Sequence, residues 1–190
     1  MDMELINQIY QNKCNIPSDI HEHLPVLKKY AEDCNVVVEM GVRSIVSTWA
    51  FLSARPDELV SVDIVHPMDY INHDPDGCNI DLVKELADKN KIGFRFILGD
   101  TLKIDPIQCD LLFIDTLHDY DQLKGELEIH SGSCRKYIIL HDTTHFSEKG
   151  ETPGKGGIWK AIEEFLAMST EWAIKERLVN NNGLTILERK

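Results

Sequence analysis

The chain has 190 residues, 32 acidic against 20 basic, for a formal net charge of −12. That length favours one domain with a full core, a hydrophobic share of 43% argues against disorder, and the acidic balance disfavours nonspecific nucleic-acid binding, which leans on basic surface. The acidic start, Met1-Asp2-Met3-Glu4, lacks the apolar core of a signal peptide, and no apolar run approaches the ~18–20 residues that cross a membrane.

Residues 1–34 read as helical cover, with Ser18-Asp19 placed to cap a helix carrying Leu24, Leu27 and Tyr30. The first strand is expected at 35–39, where Val36-Val37-Val38 runs into Glu39; a short continuous apolar run marks a parallel strand buried on both faces. Gly41 follows, then a helix through 47–52 that Pro56-Asp57 ends. Leu59-Val60-Ser61-Val62-Asp63 is the second strand. Residues 66–79, punctuated by His66-Pro67, Asp74-Pro75 and Asp76-Gly77, read as the longest loop. A helix with Leu82, Val83, Leu86 and Ala87 leads to strands at 94–98, closed by Gly99-Asp100, and 111–114, closed by Asp115. Residues 120–130 fit a helix, and 137–140 a fifth strand closed by His141-Asp142. A polar, glycine-rich loop at 144–157 precedes Ile158, Ile162, Phe165 and Leu166 at helical spacing. Last, Asn180-Asn181-Asn182-Gly183 between two strand-like runs signals a hairpin. Strand alternating with helix, closed by a hairpin, predicts an α/β class: a Rossmann-like, mostly parallel seven-stranded sheet flanked by helices, with a C-terminal antiparallel hairpin.

Five cysteines (Cys14, Cys34, Cys78, Cys109, Cys134) are scattered without a C-x-x-C pair. They read as reduced, mostly buried thiols in a cytoplasmic setting.

Glu39, Asp63, Asp100, Asp115 and Asp142 each follow a run of apolar strand. With parallel strands the five carboxylates share one edge of the sheet, beyond which ligands of open α/β folds bind. An acid at a strand-to-helix junction also serves as a helix N-cap. Five together are costly unless cations or hydrogen-bond donors meet them. A dinucleotide would need several glycines near its pyrophosphate; here Gly41 stands alone, followed by Ser44 and Ile45. S-adenosylmethionine (SAM) carries a ribose, an adenine, a sulfonium and an amino-acid end. Glu39 and Asp63 suit its cation and its diol, Asp63 lying about 20 positions past the glycine turn, where a ribose is held. Gly154-Lys155-Gly156-Gly157 lacks phosphate-loop spacing; it reads as a lid or linker, or as glycines receiving an anion ahead of a helix.

The densest chemistry lies in Asp115-Thr116-Leu117-His118-Asp119-Tyr120 and His141-Asp142-Thr143-Thr144-His145. Asp115 and Asp142 offer hard oxygens to Mg²⁺ or Mn²⁺, with His141 or His145 completing the shell. A hydroxyl is a weak acid, so a reaction at its oxygen needs a metal to lower its pKa or a base to take its proton. His118 is the expected base and His145 the second choice; either also reads as a loop histidine bonded to backbone. His21, His23, His66, His73 and His130 lie in polar stretches and are expected to be exposed.

Glu39-Met40-Gly41 followed by a strand-end Asp63 resembles the class I SAM-dependent methyltransferases. Asp115-x-x-His118-x-Tyr120 and His141-Asp142-Thr143, with Gly41-Val42-Arg43 and Ser47-Thr48, resemble one branch of that class over most of the chain. It holds cephalosporin-hydroxylase-like proteins and the metal-dependent sugar and macrolide O-methyltransferases. The resemblance implies cofactor contacts from Glu39, Gly41, Val42, Arg43, Ser47 and Asp63 on the first two strand ends. Gly99, Asp100, Thr101 and Asp115 would follow on the next two, with Asp100 receiving the adenine amino group. It implies chemistry at Asp115, His118, Asp142 and His145, and a metal at Asp115, His141 and Asp142. The activity expected is O-methylation of a sugar hydroxyl in a glycan or small glycoside, by a protein with no nucleic-acid or membrane partner that self-associates. A non-catalytic SAM- or nucleotide-binding module stays open, as does a metal-dependent hydrolase or hydroxylase using the Asp/His cluster alone.

Overall fold

The computed structural model describes residues 2–70 and 79–190 and is built on one seven-stranded sheet. The strands are β1 (Val36–Met40), β2 (Glu58–Asp63), β3 (Gly93–Leu98), β4 (Cys109–Ile114), β5 (Cys134–His141), β6 (Trp172–Leu178) and β7 (Leu184–Arg189). The helices are α1 (Asp2–Asn15), α2 (Leu24–Ala31), α3 (Ser47–Ala54), α4 (Ile80–Lys89), α5 (Tyr120–His130) and α6 (Trp159–Met168). Across the sheet the order is β3-β2-β1-β4-β5-β7-β6. The first five strands are parallel, and β7 runs antiparallel between β5 and β6. The predicted fold class is the observed one.

Alternation along the strands divides the core into two layers. Val37, Phe113 and Ile139 face the layer filled by α1, α2, α3 and α4. Val38, Leu112 and Ile138 face the layer filled by α5 and α6. Helices on both faces explain the apolar runs at 36–38 in β1 and 111–114 in β4. The chain builds outward from β1 to β3, then returns to place β4 on the other side of β1. That reversal leaves a crevice over the ends of β1 and β4.

Several local expectations change. Ser18 does not cap α2: its hydroxyl accepts from the Ile20 amide and its own amide donates to His21 Nδ1, a turn ahead of the 3-10 segment His21–His23. α2 starts at Leu24 with Pro25 in its first turn and no side-chain cap. His23 and His130 are buried rather than exposed. His130 falls on the stripe of α5 that also buries Leu123, Glu126 and Leu127, and its Nε2 lies 2.7 Å from the Thr101 carbonyl oxygen. The 144–157 loop folds on itself, the amides of Gly150 and Gly157 donating to the carbonyls of Lys155 and Glu148. Lys155 pairs with Asp121 at 3.0 Å. Those two amides are thereby taken by carbonyls. In the 66–79 loop, Pro67–Tyr70 form a 3-10 turn; residues 71–78, with His73 and Cys78, lie outside the described residues. Cys14, Cys34, Cys109 and Cys134 are free thiols. Among the described residues no helix is long and apolar enough to cross a membrane.

Candidate functional site

A cavity of about 670 Å³ opens over the carboxyl ends of β1 to β5. Its floor is the turn after β1. Gly41, Arg43 and Ile45 alternate through positive φ, at 88°, 45° and 58°. A Cβ on Gly41 would overlap the carbonyl oxygen of Asp115, so glycine is required where the β1 and β4 ends meet. Arg43 and Ile45 adopt the same handedness despite their side chains, a local strain of order 1 kcal/mol or more each.

Asp63 holds this turn. Its Oδ2 accepts from the amides of Val42 (2.7 Å) and Arg43 (2.9 Å), and its Oδ1 from Val65 (2.9 Å). Val42, Arg43, Ser47, Asp63, Gly99, Asp100 and Thr101 all line the cavity with Gly41 and Asp115. Asp100 spends its carboxylate locally, on the Leu102 amide and on Lys103; those partners, the Lys103 ammonium first, lower its pKa.

Glu39 is placed differently from expectation. It lies one residue before the end of β1, so its side chain turns into the α3 layer and does not reach the cavity. There, fully buried, its carboxylate accepts from the hydroxyls of Ser47 (2.5 Å), Thr48 (2.9 Å) and Ser61 (2.6 Å). Burial pushes it up to about 7, against the pull of the three hydroxyls.

At the β4 and β5 ends, Asp115 and Asp142 converge on His118. His118 Nε2 lies 3.1 Å from Asp115 Oδ1 and 3.0 Å from Asp142 Oδ2, and Nδ1 lies 2.9 Å from Glu151 Oε2. The ring stacks on Phe146 with centroids 4.7 Å apart. Burial disfavours charge on the ring, but the carboxylates of Asp115, Asp142 and Glu151 outweigh it and push the imidazole up to about 9. Those carboxylates favour the protonated ring over the neutral one. Asp115 would be raised by burial, yet His141 and His118 hold it well below the usual carboxylate range. Burial raises Asp142, whose positive φ of 59° aims it from the strand end.

The donor atoms that cluster belong to Asp115, His118 and Asp142, all within 4.8 Å of one another. His141, at the end of β5, lies behind Asp115, with Nδ1 3.3 Å from its Oδ1, and does not line the cavity. His145 is exposed, sits edge-on to Phe146 and also lies off the cavity; the turn that follows Asp142 carries it outward.

Residues that sequence reasoning passed over complete the walls. Glu151 comes from the 144–157 loop. Asp19 and Ile20 come from the N-terminal cover, which Asp19 ties to Arg43 at 2.7 Å. Gln122 and Thr116 line the side nearest α5, and both donate to the fully buried Glu126. The β6–β7 turn braces the Asp142 corner, with the Asn182 carbonyl accepting from the amides of Thr144 and His145.

No protein-family model matches the chain, and no curated protein matches it by sequence. Solved structures do match. A putative caffeoyl-CoA O-methyltransferase from Staphylococcus aureus aligns over 99% of this chain and 92% of its own, at TM-score 0.67 and 16% identity. An SAH-bound methyltransferase from Podospora anserina aligns over 97% and 87%, at 0.60 and 15%. An O-methyltransferase from Bacillus cereus in complex with SAH aligns over 100% and 90%, at 0.60 and 15%. At these identities the likeness is one of architecture: the chain has the fold of these methyltransferases.

Proposed function

We propose that the chain is a SAM-dependent O-methyltransferase whose methyl donor occupies the strand-end cavity and whose acceptor is a sugar hydroxyl, in a glycan or small glycoside. The observation that carries this reading is the cavity over the β1/β4 switch point, walled by Asp63, Asp100, Asp115 and Asp142 above the Gly41 turn. The turn's amides at Val42 and Arg43 are already taken by Asp63. They are not free for a pyrophosphate, whereas the acidic walls suit a cationic cofactor. The fold shared with SAH-bound methyltransferases points the same way.

When bound, the donor supplies an electrophilic methyl carbon on a positive sulfur. The chain's own residues then bind, orient and exclude water. Asp63 faces the ribose, and Asp115 and Asp142 offset positive charge. Asp19 and Ile20 close the cavity from the N-terminal side. Transfer in line requires the acceptor oxygen to be aligned and relieved of its proton. A divalent cation, Mg²⁺ or Mn²⁺, fits Asp115, His118 and Asp142. The three donors converge, Glu151 turns His118 Nε2 toward them, and Asp142 Oδ1 is buried without a donor in good geometry. Such an ion would acidify an acceptor hydroxyl. His118 is assigned as ligand and orienting group, because its proton must leave before it can accept another.

The sugar acceptor rests on the resemblance of the 115–120 and 141–143 segments to sugar O-methyltransferases. The cytoplasmic setting rests on the free thiols. A hydrolase using the Asp/His cluster alone would leave the half of the cavity over Asp63 and Thr101 without an occupant, and a non-catalytic module would have no use for the cluster. Calorimetry with S-adenosylhomocysteine (SAH) tests the reading. Binding is expected; a folded protein that takes up no SAH removes it.

A further inference from the structure

At the end of the sheet away from the cavity, two strands begin with cysteines that face each other. Cys109 opens β4, Cys134 opens β5, and the two are register partners across the parallel pair. Both side chains are fully buried in the layer shared with α5 and α6. Neighbouring strands lie about 4.8 Å apart, inside the roughly 4.4–6.8 Å between Cα atoms that a disulfide spans. The two thiols are already hydrogen-bonded, Cys109 donating to Cys134 Sγ. The register then slips between Cys109 and Leu111, so this end of the ladder has slack that its regular stretch lacks.

The two sulfurs are not equivalent. As a thiol, Cys134 donates to the Tyr137 carbonyl at 3.0 Å. As a thiolate, it accepts from the Cys109 thiol and from the amides of Lys136, Leu112 and Tyr137. Those donors, the Cys109 thiol first, draw its pKa below the ordinary thiol value against the effect of burial. The donated bond and burial hold Cys109 above that value. Cys134 is thus the nucleophile of the pair and Cys109 the resolving thiol. Strand ends open more readily than strand middles, and Asp105, Pro106 and Gln108, just ahead of Cys109, are exposed. A small neutral oxidant has a way in there that a bulky one lacks.

We propose that Cys109 and Cys134 are a peroxide-sensitive dithiol that closes to a disulfide across the start of β4 and β5. The Cys134 thiolate attacks one oxygen of hydrogen peroxide. The O–O bond breaks, hydroxide leaves with the proton that Cys134 had shed, and Cys134 becomes a sulfenic acid. The Cys109 sulfur then attacks the Cys134 sulfur. The S–S bond forms, the S–O bond breaks, and the second hydroxide leaves as water with the Cys109 proton. Two thiols are oxidised and one peroxide is reduced to two waters; a dithiol reductant reverses the bond. It encloses residues 109–134, which carry Asp115, His118 and the whole of α5. The proposal does not depend on the methyl-transfer reading.

The test is peptide mapping of the folded full chain, treated with hydrogen peroxide, then unfolded and alkylated without reductant. Two of the five thiols should be lost to alkylation. They should reappear as one linked pair of peptides holding Cys109 and Cys134, about 2 Da lighter than the two thiols, and dithiothreitol should restore both. Oxidation that stops at acids on separate cysteines, or that links any other pair, overturns the proposal, and this comparison needs no variant. So does a bond that forms only when peroxide meets the chain already unfolded. In Cys109→Ser, dimedone should label a sulfenic acid at Cys134; in Cys134→Ser, Cys109 should remain a thiol. Label on Cys109 with none on Cys134 overturns the assignment of Cys134 as the nucleophile.

Discussion

His118 and Glu151 face each other at 2.9 Å, Nδ1 to Oε2, which leaves Nε2 directed between Asp115 and Asp142. A carboxylate on one ring nitrogen fixes the tautomer and raises the basicity of the other, the usual support for a metal-ligating histidine. A divalent cation would replace the proton that Nε2 now shares with the two carboxylates.

Mn²⁺ added to the cofactor-free protein should therefore bind at one site and raise its melting temperature. Asp142→Asn should remove that binding. Glu151→Gln, which touches only the histidine, should weaken it by about 10- to 100-fold. Electron paramagnetic resonance of free Mn²⁺ gives each affinity directly. Equal binding by the native protein and Asp142→Asn would dismiss the site, and turnover that survives chelation would dismiss its part in catalysis.

The β1 turn predicts two substitutions with different outcomes. Gly41→Ala forces a methyl group into the Asp115 carbonyl at a φ of 88° and should cost about 2 kcal/mol or more. Arg43→Gly relieves the strain of a positive φ at 45° while losing an exposed pair with Asp19, a contact of small worth. Its stability should stay within about 1 kcal/mol of the native chain. Urea midpoints at fixed m-value report both; a Gly41→Ala protein as stable as the native one would mean the two strand ends are not so close.

Much of this site could be read along the chain. Asp63, Asp115 and Asp142 close apolar runs, and a parallel sheet with its order reversed beside β1 has to bring such ends together. The α5 bounds followed from its pattern. Other parts depend on contacts between distant segments. Glu126 sits in mid-helix and draws its partners from residues 101, 116 and 122. Asp19 and Glu151 reach the cavity from segments 132 residues apart in number (151 − 19). The positive φ at Arg43 and Ile45 left no mark in residue type, because glycine was not used where the backbone favours it. Glu39 did leave a signal: Ser61 interrupts an apolar strand, and Ser47-Thr48 open α3. Hydroxyls in buried positions need an acceptor, and Glu39 is the acceptor they share.

That burial gives Glu39 its own pH signature. Its carboxyl is pushed from 4.5 up to about 7 in the folded chain. Between those values the unfolded chain has released the proton that the folded chain retains. The unfolded state binds fewer protons there, so stability falls as pH rises from about 4.5 and levels off above about 7. The whole effect is at most about 3 kcal/mol, at 1.36 kcal/mol for each tenfold change in proton affinity. Glu39→Gln keeps an acceptor for the hydroxyls and has nothing to titrate. Its stability relative to the native chain should therefore climb from pH 5 to pH 8, while His118 and the other titrating groups, common to both proteins, cancel in the difference. Urea unfolding of the pair across that range measures the slope. Two curves that run parallel would show that Glu39 is ionised in the folded chain throughout, with its hydroxyl partners sufficient to hold the charge.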